Sequence, residues 1–347
     1  MVSISLVLFD HSVYTPSFPP SLNRLDDWCV PGDLGVRFFF VISGFLITWL
    51  LLQEQARTGS VSLSSFYIRR ALRILPVYFL YLFVLGFFTH YSQSAASWAV
   101  NLTFTTNFFW SPFATAHLWS LGVEEQFYLL WPWLLMRALR RPENEATLLK
   151  ILTVPLVVAP LVRLIFWKKW YPGSWHIFFQ DGSFFSRFDI LAYGCIAAVL
   201  FMHRRKLLEA FFERHARDVL LGGVALILAP PSLQFFPFHE SFLAALGHSI
   251  QAVGFCLLLL PSILSPDRGF HRFLNWKWIS HLGVLSYSIY IWQEMFCGTH
   301  KIVFGSATRT WWTDFPFWIV SALLAAHLSF YVVEKPLMRL RARYRAV

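Results

Sequence analysis

The residues of this sequence that could carry chemistry are ionisable side chains inside long apolar runs. A lipid environment tolerates such groups where they face the interior of a helix bundle or a water-filled cavity, so each one is a functional candidate. Together they would allow acid–base catalysis and the binding of polar or charged substrates. The candidates are Asp10, His11, Glu124, Glu125, Arg163, Arg187, Asp189, His248 and Glu294.

His11 lies near the end of the first apolar run, where an imidazole can accept a proton near neutral pH. A histidine at the membrane interface that closes a helix end explains the residue equally well. Asp10 is not expected to pair directly with His11, because neighbouring positions of a helix point about 100° apart. The residues alone therefore leave a catalytic and a structural interpretation of His11 open.

Residues recur at helical spacing in the fourth apolar run, where Ser120 and Glu124 share a face with Phe127 or Tyr128 and with Trp131. A carboxylate about two turns into a membrane helix is costly without a partner. Glu124 could orient or polarise His11, or it could bind a sugar hydroxyl.

The alternative for Glu124 is a structural ion pair with Arg187 or Arg163. Glu125 points to a different side of the helix, which leaves Glu124 alone on its face. The functional interpretation of Glu124 is therefore favoured over the ion pair.

Two arginines three positions apart, Arg70 and Arg73, are neighbours on a helix surface. Their planar guanidinium groups suit phosphates, such as those of coenzyme A or of a lipid headgroup. From charge alone, an ordinary anchor at the cytoplasmic face is the better explanation. Both interpretations place the two arginines at the cytoplasmic mouth of the third run.

Other polar or small residues fall inside apolar runs with less distinctive spacing. Arg187 and Asp189 are two positions apart, so they need separate partners or a bent side chain. Ser43 and Gly44 are two small residues that favour the close approach of another helix. The remaining candidates are interpreted as packing or cavity-lining residues, namely His248 and Glu294.

The sequence lacks the common signatures of nucleotide, metal and nucleophile sites, among them a P-loop, GxGxxG, HExxH and GxSxG. Its four cysteines are isolated, without a CxxC pair or a matching histidine spacing. Neither a disulfide framework nor a zinc site is predicted, and we expect no metal.

The composition indicates the elements that must position these residues. Hydrophobic residues make up 56% of the 347 positions and charged residues only 14%, whereas soluble domains carry about 25% charged residues. The net charge of +10 is spread between apolar runs rather than gathered on one soluble face, which argues against a nucleic-acid partner. We predict an all-α, polytopic transmembrane helical bundle with a single domain over residues 1–347.

Ten apolar runs approach the length of about 20 residues that the hydrocarbon core of a bilayer requires. We therefore expect about ten membrane helices embedded in a lipid bilayer. The first run is short and lacks the charged start and cleavage site of a signal peptide, so we expect the first helix to begin upstream of Met1. The runs are 1–14, 34–52, 74–88, 118–136, 148–167, 184–202, 219–236, 242–264, 278–296 and 315–333.

Most of the 29 Lys and Arg residues fall in five alternate loops. By the positive-inside rule these loops are cytoplasmic, and an even number of spans then places both termini in the cytoplasm. The segment 91–116 becomes an outside loop or a re-entrant piece. The basic loops are 53–73, 137–150, 203–217, 265–277 and 334–347.

Six segments, taken in order, resemble the acyltransferase type 3 family of bacterial membrane O-acyltransferases. Any one of them is weak alone, but the ordered set covers nearly the whole chain and favours functional roles for His11, Arg70, Arg73 and Glu124. The segments are 39–48 with Ser43 and Gly44, 66–76 with Arg70-x-x-Arg73, 117–128 with Glu124, 187–189 with Arg187 and Asp189, 285–292, and 333–336 with the residues Val-Glu-Lys-Pro.

The sequence departs from this family's pattern at two places. The family's first helix opens with an arginine-containing segment ahead of its catalytic histidine, which His11 matches, and that half-helix is missing here. After the Tyr-x-Trp segment the family often has a histidine, whereas this sequence has Gln293. No base is therefore expected at that position.

The resemblance implies transfer of an acyl group, most simply acetyl, from cytoplasmic acyl-CoA to a hydroxyl of a carbohydrate or glycosylated acceptor. His11 would take the proton of the acceptor hydroxyl, and Glu124 would orient His11 or stabilise its imidazolium form. We expect direct transfer through a cavity rather than a covalent acyl-histidine. The other implied roles are phosphate binding by Arg70 and Arg73, closure around the pantetheine arm at Ser43 and Gly44, and acceptor contacts at Ser120, Arg187 and Asp189.

A transporter or flippase of a lipid-linked sugar is the alternative, because it would also explain the spans, the buried polar residues and the arginines. It would consume no acyl-CoA, and it gives no reason for two arginines beside an internal histidine. The expected location is the bacterial inner membrane. The sequence leaves the acyl group, the acceptor, the oxyanion donor and the oligomeric state open.

Overall fold

The computed structural model describes residues 1–15, 17–22, 31–89, 93–109, 113–140, 144–169, 181–233, 240–266, 269–297 and 310–340. Every regular element within these ranges is helical, and no strand occurs in them. The prediction of an all-α fold is confirmed.

Fifteen α-helices lie in the described ranges. In chain order they are α1 (Val2–Val13), α2 (Pro31–Thr58), α3 (Leu63–Phe88), α4 (Ala95–Leu102), α5 (Phe113–Ala116), α6 (Trp119–Leu139), α7 (Asn144–Trp167), α8 (Phe184–His203), α9 (Arg205–Arg214), α10 (Ala216–Leu233), α11 (Glu240–Leu264), α12 (Gly269–Leu274), α13 (Lys277–Phe296), α14 (Phe317–Ser329) and α15 (Lys335–Leu340). Two short 3₁₀ turns lie at Pro20–Leu22 and Trp311–Thr313.

Seven helical segments in the described ranges are long and apolar enough to cross a membrane, so the expected count of about ten is not confirmed. Helices also lie at the three other predicted runs, but α1 has only 12 residues. The other two, α6 and α13, carry glutamate and glutamine side chains that make them less apolar. The seven segments are α2, α3, α7, α8, α10, α11 and the continuous stretch of α14 and α15.

α3 begins at Leu63, well before the predicted start at residue 74. The Ser62 side chain caps this helix by accepting a hydrogen bond of 3.3 Å from the Ser65 backbone N–H, which satisfies one of the unpaired donors at a helix start. The segment that carries Arg70 and Arg73 is therefore helical and continuous with the apolar part of α3. The two arginines gain a fixed position at one end of a membrane helix.

The segment expected as an outside loop or a re-entrant piece contains α4 and α5, with 8 and 4 residues. Both lie against α3, since the Tyr78 hydroxyl donates to the Asn101 carbonyl at 2.7 Å and the Tyr81 hydroxyl donates to the Ala114 carbonyl at 2.5 Å. Two short helices held in this way brace the start of α6.

α2 and α8 make the closest helix contact around the core. A Cβ atom added at Gly44 would lie 2.0 Å from the carbonyl oxygen of Leu191, and one at Gly194 would lie 2.1 Å from that of Val41. Only glycine leaves room for backbones at this distance. The close helix approach predicted for Ser43 and Gly44 is confirmed, and it fixes the α2 face that carries Ser43.

α14 continues into α15 through a π-helical turn at Phe330–Glu334. Glu334 is fully buried and accepts a hydrogen bond from Ser288 on α13. Beyond the turn, Met338 accepts a hydrogen bond of 3.0 Å from the Nη1 of Arg73. The last helices therefore pack beside the predicted arginine pair, and π-helical turns of this kind are frequent at functional sites.

Candidate active site

His11 lies in the last turn of α1, against the end of α13. Its Nδ1 is 2.9 Å from the amide oxygen of Gln293 and 3.3 Å from the carboxylate of Glu294. Both partners are buried, with Gln293 at 0% and Glu294 at 3% exposure, while about a fifth of the His11 side chain is exposed. With acceptors at Nδ1, the ring carries its proton there and presents Nε2 as a base.

Asp10 turns away from this imidazole, as expected from its position one residue before. Its Oδ1 accepts a hydrogen bond of 2.9 Å from the backbone N–H of Gly32 at the start of α2. A carboxylate at a helix start satisfies free N–H groups and favours the positive end of the helix dipole. Asp10 therefore fixes α1 against α2 next to His11.

Glu124 has other partners than the sequence suggested. Ser43 donates a hydrogen bond to its carboxylate, and Tyr128 donates to the Ser43 hydroxyl at 3.1 Å. Arg70 lies over the Tyr128 ring, with its Cζ 3.6 Å from the ring centre. The expectation that Glu124 orients His11 is corrected, because the carboxylate beside His11 belongs to Glu294.

The structural alternative for Glu124 is not found either. Among the described residues, Arg163 pairs with Asp189, and Arg187 pairs with Asp33 and Asp181. Glu124 is instead a buried residue with hydroxyl partners.

A cavity of about 170 Å³ lies between α1, α2, α6 and α13, and we call it the tyrosine cavity. The Tyr290 hydroxyl is 2.6 Å from the Ser120 hydroxyl and donates to the His117 carbonyl at 2.8 Å. On α13 its lining ends one turn before Gln293 and Glu294. The lining residues used below are Val7, Ile42, Ser120, Tyr287 and Tyr290.

A larger cavity of about 690 Å³ lies at the arginine-bearing end of α3, between α2, α3 and α15, and we call it the arginine cavity. Glu54 is paired with Arg69 at 2.7 Å, so its charge is already balanced. The other charged lining residues are all basic: Arg57, Arg70 and Arg73. The cavity has the size of a small-molecule site and an excess of positive charge.

Arg163 and Asp189 form the most buried ion pair of the described residues. Both guanidinium Nη atoms donate to the carboxylate at 2.9 Å, and Ser249 donates to the same carboxylate at 2.6 Å. The other Arg163 donors reach the carbonyls of Ala245 and Ser186 at 2.9 and 2.6 Å. Asp189 is completely buried, so its contacts are structural in this arrangement.

Arg187 and Asp189 do not pair with each other but with different residues, as their spacing predicted. It donates to Asp33 at 3.0 Å and to the Asp181 carboxylate at 2.5 Å. Arg37 in turn donates to Asp33 and Gln251. We call the set Asp33, Arg37, Arg163, Asp181, Arg187 and Asp189 the ion-pair cluster.

Two groups of three potential metal ligands occur among the described residues. One comprises His11, Glu294 and Cys297, and the other comprises Asp33, Asp181 and His248. The second group touches the cationic Arg187 and Arg37, which opposes a bound cation. In the first group the His11 Nδ1 already has protein acceptors, and the expectation that no metal is bound stays a prediction.

Three residues that contact the candidate base or its cavity were given no catalytic or substrate-binding role in the sequence interpretation: Tyr290, Gln293 and Glu294, the last of which was expected only to pack or to line a cavity. Gln293 and Glu294 follow Tyr290 by three and four positions, so both lie one turn after it on the same side of α13. This spacing was a usable signal, but only the fold shows that the face meets α1 rather than lipid.

Comparison with known proteins gives a consistent result along the chain. A family model described as an acyltransferase domain matches residues 1–334. The chain is similar to the peptidoglycan O-acetyltransferase OatA of Listeria monocytogenes, with 26% identity over 334 residues, covering 90% of this chain and 52% of that protein. It is also similar to the O-acetyltransferase OatA of Staphylococcus aureus, with 28% identity over 319 residues, covering 81% of this chain and 51% of that protein.

The chain thus spans about half the length of the curated relatives it matches. No solved structure matches it.

Proposed function

Because the chain belongs to the family of acyltransferase domains, as its motifs indicated, we propose that it is a membrane O-acyltransferase. It moves an acyl group, most simply acetyl, from acyl-CoA to a hydroxyl of a carbohydrate or glycosylated acceptor. The names of its relatives support acetyl as the group and peptidoglycan as the first acceptor to test. A flippase of a lipid-linked sugar has no comparable support.

The observation that carries this proposal is the environment of His11. Its Nδ1 faces the Gln293 amide oxygen and the Glu294 carboxylate at 2.9 and 3.3 Å, an arrangement that leaves Nε2 to accept a proton. The acceptor hydroxyl binds at Nε2 and gives its proton to this atom as its oxygen attacks the acyl carbonyl. The carbon–sulfur bond then breaks, and the sulfur leaves as the thiol after it takes the proton back from the imidazolium. Glu294 stabilises the imidazolium that forms, which is the role that the sequence had suggested for Glu124. General base catalysis of this kind contributes about 10²–10⁴-fold in rate.

The arginine cavity is the proposed donor site. Arg57, Arg70 and Arg73 line it without an equal number of acidic residues, and guanidinium groups bind phosphates with two hydrogen bonds at once. The phosphates of acyl-CoA supply the matching negative charge. Ser43 and Glu124 lie behind Arg70 and Tyr128 and hold α2 and α6 together at this end of the site.

The tyrosine cavity is the proposed route between donor and base. Its lining includes Val7, one turn before His11 on α1, and Tyr287, two turns before Glu294 on α13. A thioester that extends from the arginine cavity along these helices approaches His11 without crossing lipid. Ser120 and Tyr290 are the hydroxyl groups available to it on the way.

The topology is part of the same proposal. Residues 1–347 act as one membrane domain in the bacterial inner membrane, with both termini and the arginine cavity on the cytoplasmic side. The acyl donor then comes from the cytoplasm, and the acceptor reaches His11 from the opposite half of the bilayer. Oligomeric state plays no part in the scheme.

The test is acetyl-CoA turnover by the purified protein in detergent, with peptidoglycan fragments or a sugar panel as acceptor. We expect His11→Ala to lower turnover by about 10²–10⁴-fold, and Arg73→Ala to raise the KM for acetyl-CoA. The matched controls are His215→Ala and Arg205→Ala, two half-exposed or exposed residues that line neither cavity. Unchanged turnover in His11→Ala would refute the base, and a wild-type protein that neither binds nor consumes acetyl-CoA would refute the donor.

A further inference from the structure

One buried hydrogen-bond donor and one buried acceptor near the arginine cavity lack hydrogen-bond partners. They are the Nε of Arg70 and the Oε1 of Glu125, and neither has a partner among the described residues. A buried donor or acceptor that remains unpaired is costly, and a carboxylate inside a membrane protein is more costly still. Such groups are retained where a ligand completes them.

Two other buried carboxylates of the bundle have hydrogen-bond donors. Glu124, the preceding residue, accepts a hydrogen bond from Ser43. Asp189 has two guanidinium donors and a hydroxyl donor. Glu125 lacks such donors at its Oε1, a deficit that it shares with the Oε2 of Glu334 in the part of the chain that the structure describes.

Arg70 and Glu125 lie where the two cavities approach each other. Arg70 lines the arginine cavity and covers the ring of Tyr128, one turn after Glu125 on α6. One turn after Arg70 on α3, the Ile74 carbonyl accepts a hydrogen bond of 2.9 Å from the Tyr287 hydroxyl. Tyr287 lines the tyrosine cavity. Arg70 and Glu125 interact through space without closing into an ion pair, because the guanidinium group stacks on Tyr128 instead. A ligand that extends from the arginine cavity toward the tyrosine cavity would run close to these two residues.

The group that would satisfy both atoms carries one acceptor and one donor on opposite edges. A secondary amide has this form, since its carbonyl accepts from a guanidinium group and its N–H donates to a carboxylate. The pantetheine arm of acyl-CoA and of acyl carrier protein contains such amides, one of them two carbons from the thioester sulfur. Acyl phosphates and simple acyl esters contain none.

We propose that Arg70 and Glu125 form a subsite for the pantetheine amide nearest the thioester, so that the donor is a pantetheine thioester. This inference rests on the proposed function and adds a residue, Glu125, that binds the donor without touching the reacting atoms. Glu125 accepts the amide N–H, and Arg70 donates to the amide carbonyl. The contact sets how far the thioester extends toward His11.

The test compares two small donors that differ at a single atom. S-acetyl-N-acetylcysteamine carries the proximal amide, and its oxygen-ester analogue replaces that N–H by oxygen. We expect the wild type to prefer the amide by about tenfold or more in kcat/KM, because the ester leaves the Glu125 carboxylate unpaired. Glu125→Ala should reduce this preference to about onefold, whereas Glu125→Gln, which keeps an acceptor oxygen, should retain most of it.

Glu209→Ala is the matched control, since Glu209 is paired on the surface with Arg205; it should leave the preference at the wild-type value. An equal rate for amide and ester in the wild type, or an undiminished preference in Glu125→Ala, would overturn the subsite. The ratio of the wild-type rates with the amide and the ester tests the subsite even if Glu125→Ala does not fold.

A second pair of donors, acetyl-CoA and acetyl-acyl carrier protein, tests whether the pantetheine arm belongs to free coenzyme A or to a carrier protein. Dependence of the acetyl-CoA rate on Arg73 would favour free coenzyme A, and a faster reaction with the carrier protein would favour a protein-bound arm. If the wild type consumes no thioester, the proposed function fails together with the subsite. That result differs from turnover without amide preference, in which only the subsite fails.

Discussion

The Arg163–Asp189 pair of the ion-pair cluster and the surroundings of Arg70 both contain buried charged groups, but they satisfy their polar atoms in opposite ways. In the cluster, all three guanidinium nitrogens of Arg163 donate to protein acceptors, and Asp189 receives two of these hydrogen bonds. In the other region, Arg70 has an aromatic neighbour and an unpaired Nε, and Glu125 has an unpaired oxygen.

The difference separates residues that hold the bundle together from residues that remain available to a ligand. A paired ion in the interior is costly to break, because removal of one partner leaves a buried charge. An unpaired buried ion already destabilises the fold. Its removal should therefore change the free energy of unfolding little and reduce the affinity for the ligand more. Substitutions in the ion-pair cluster should therefore lower the free energy of unfolding more than they lower activity. Substitutions around Arg70 should lower activity more than the free energy of unfolding.

The largest effect on stability should come from the ion-pair cluster. We expect Asp189→Ala to lower the free energy of unfolding by about 3–5 kcal/mol, because it leaves the Arg163 charge buried without its carboxylate. Thermal unfolding of the detergent-purified protein measures this change. Asp218→Ala, which removes an exposed carboxylate, should unfold like the wild type. A stable Asp189→Ala protein with a raised acceptor KM would instead support the substrate role predicted for Asp189.

A smaller loss is expected from Arg187→Met in the same cluster. Asp33 keeps Arg37 as a partner, and Asp181 is half exposed, so only part of the lost pairing occurs in the interior. We expect a cost of about 1–3 kcal/mol in the free energy of unfolding, again from thermal unfolding, with unchanged acceptor KM in the folded fraction. If Arg187→Met kept the wild-type stability and changed the acceptor KM, Arg187 would be a substrate-binding residue rather than a structural one.

The smallest effect on stability should come from Arg70→Met. The side chain loses a cation–π contact with Tyr128, worth about 1 kcal/mol, and leaves few hydrogen bonds behind. The KM for acetyl-CoA should rise about tenfold or more, since a charge-assisted contact to the donor is lost. Steady-state kinetics and thermal unfolding on the same preparation give both values, with Arg205→Met as the exposed control. A severe loss of stability would abolish the contrast between the regions.

Much of the fold could be predicted from the sequence, because helix formation and close helix approach depend on apolar runs and small residues at nearby positions. The all-α class and the close approach at Gly44 needed only composition and spacing. The adjacency of Arg70 and Arg73 followed from a separation of three on one helix. The count of about ten was not confirmed, because α1 is short and the polar faces of α6 and α13 lower their hydropathy.

The partners of the buried ions could not be read from the sequence. His11 meets Gln293 across 282 positions, and no local spacing predicts which carboxylate arrives beside it. Glu124 and Glu294 were both available, and the packing of α1 against α13 selected Glu294. The position where the resemblance led us to expect no base, Gln293, supplies the acceptor that fixes the tautomer of the base.

The π-helical turn at Phe330–Glu334 changes how the end of the chain should be compared with related sequences. A turn of this kind holds one residue more than an α-helical turn, so all later side chains are rotated by about 100° relative to an uninterrupted helix. A helical wheel drawn through α14 and α15 would therefore assign Met338 to the wrong side. Deletion of one residue from the turn would restore a regular helix and leave Met338 facing Arg73, whereas a substitution that straightens the turn without a deletion would rotate Met338 away.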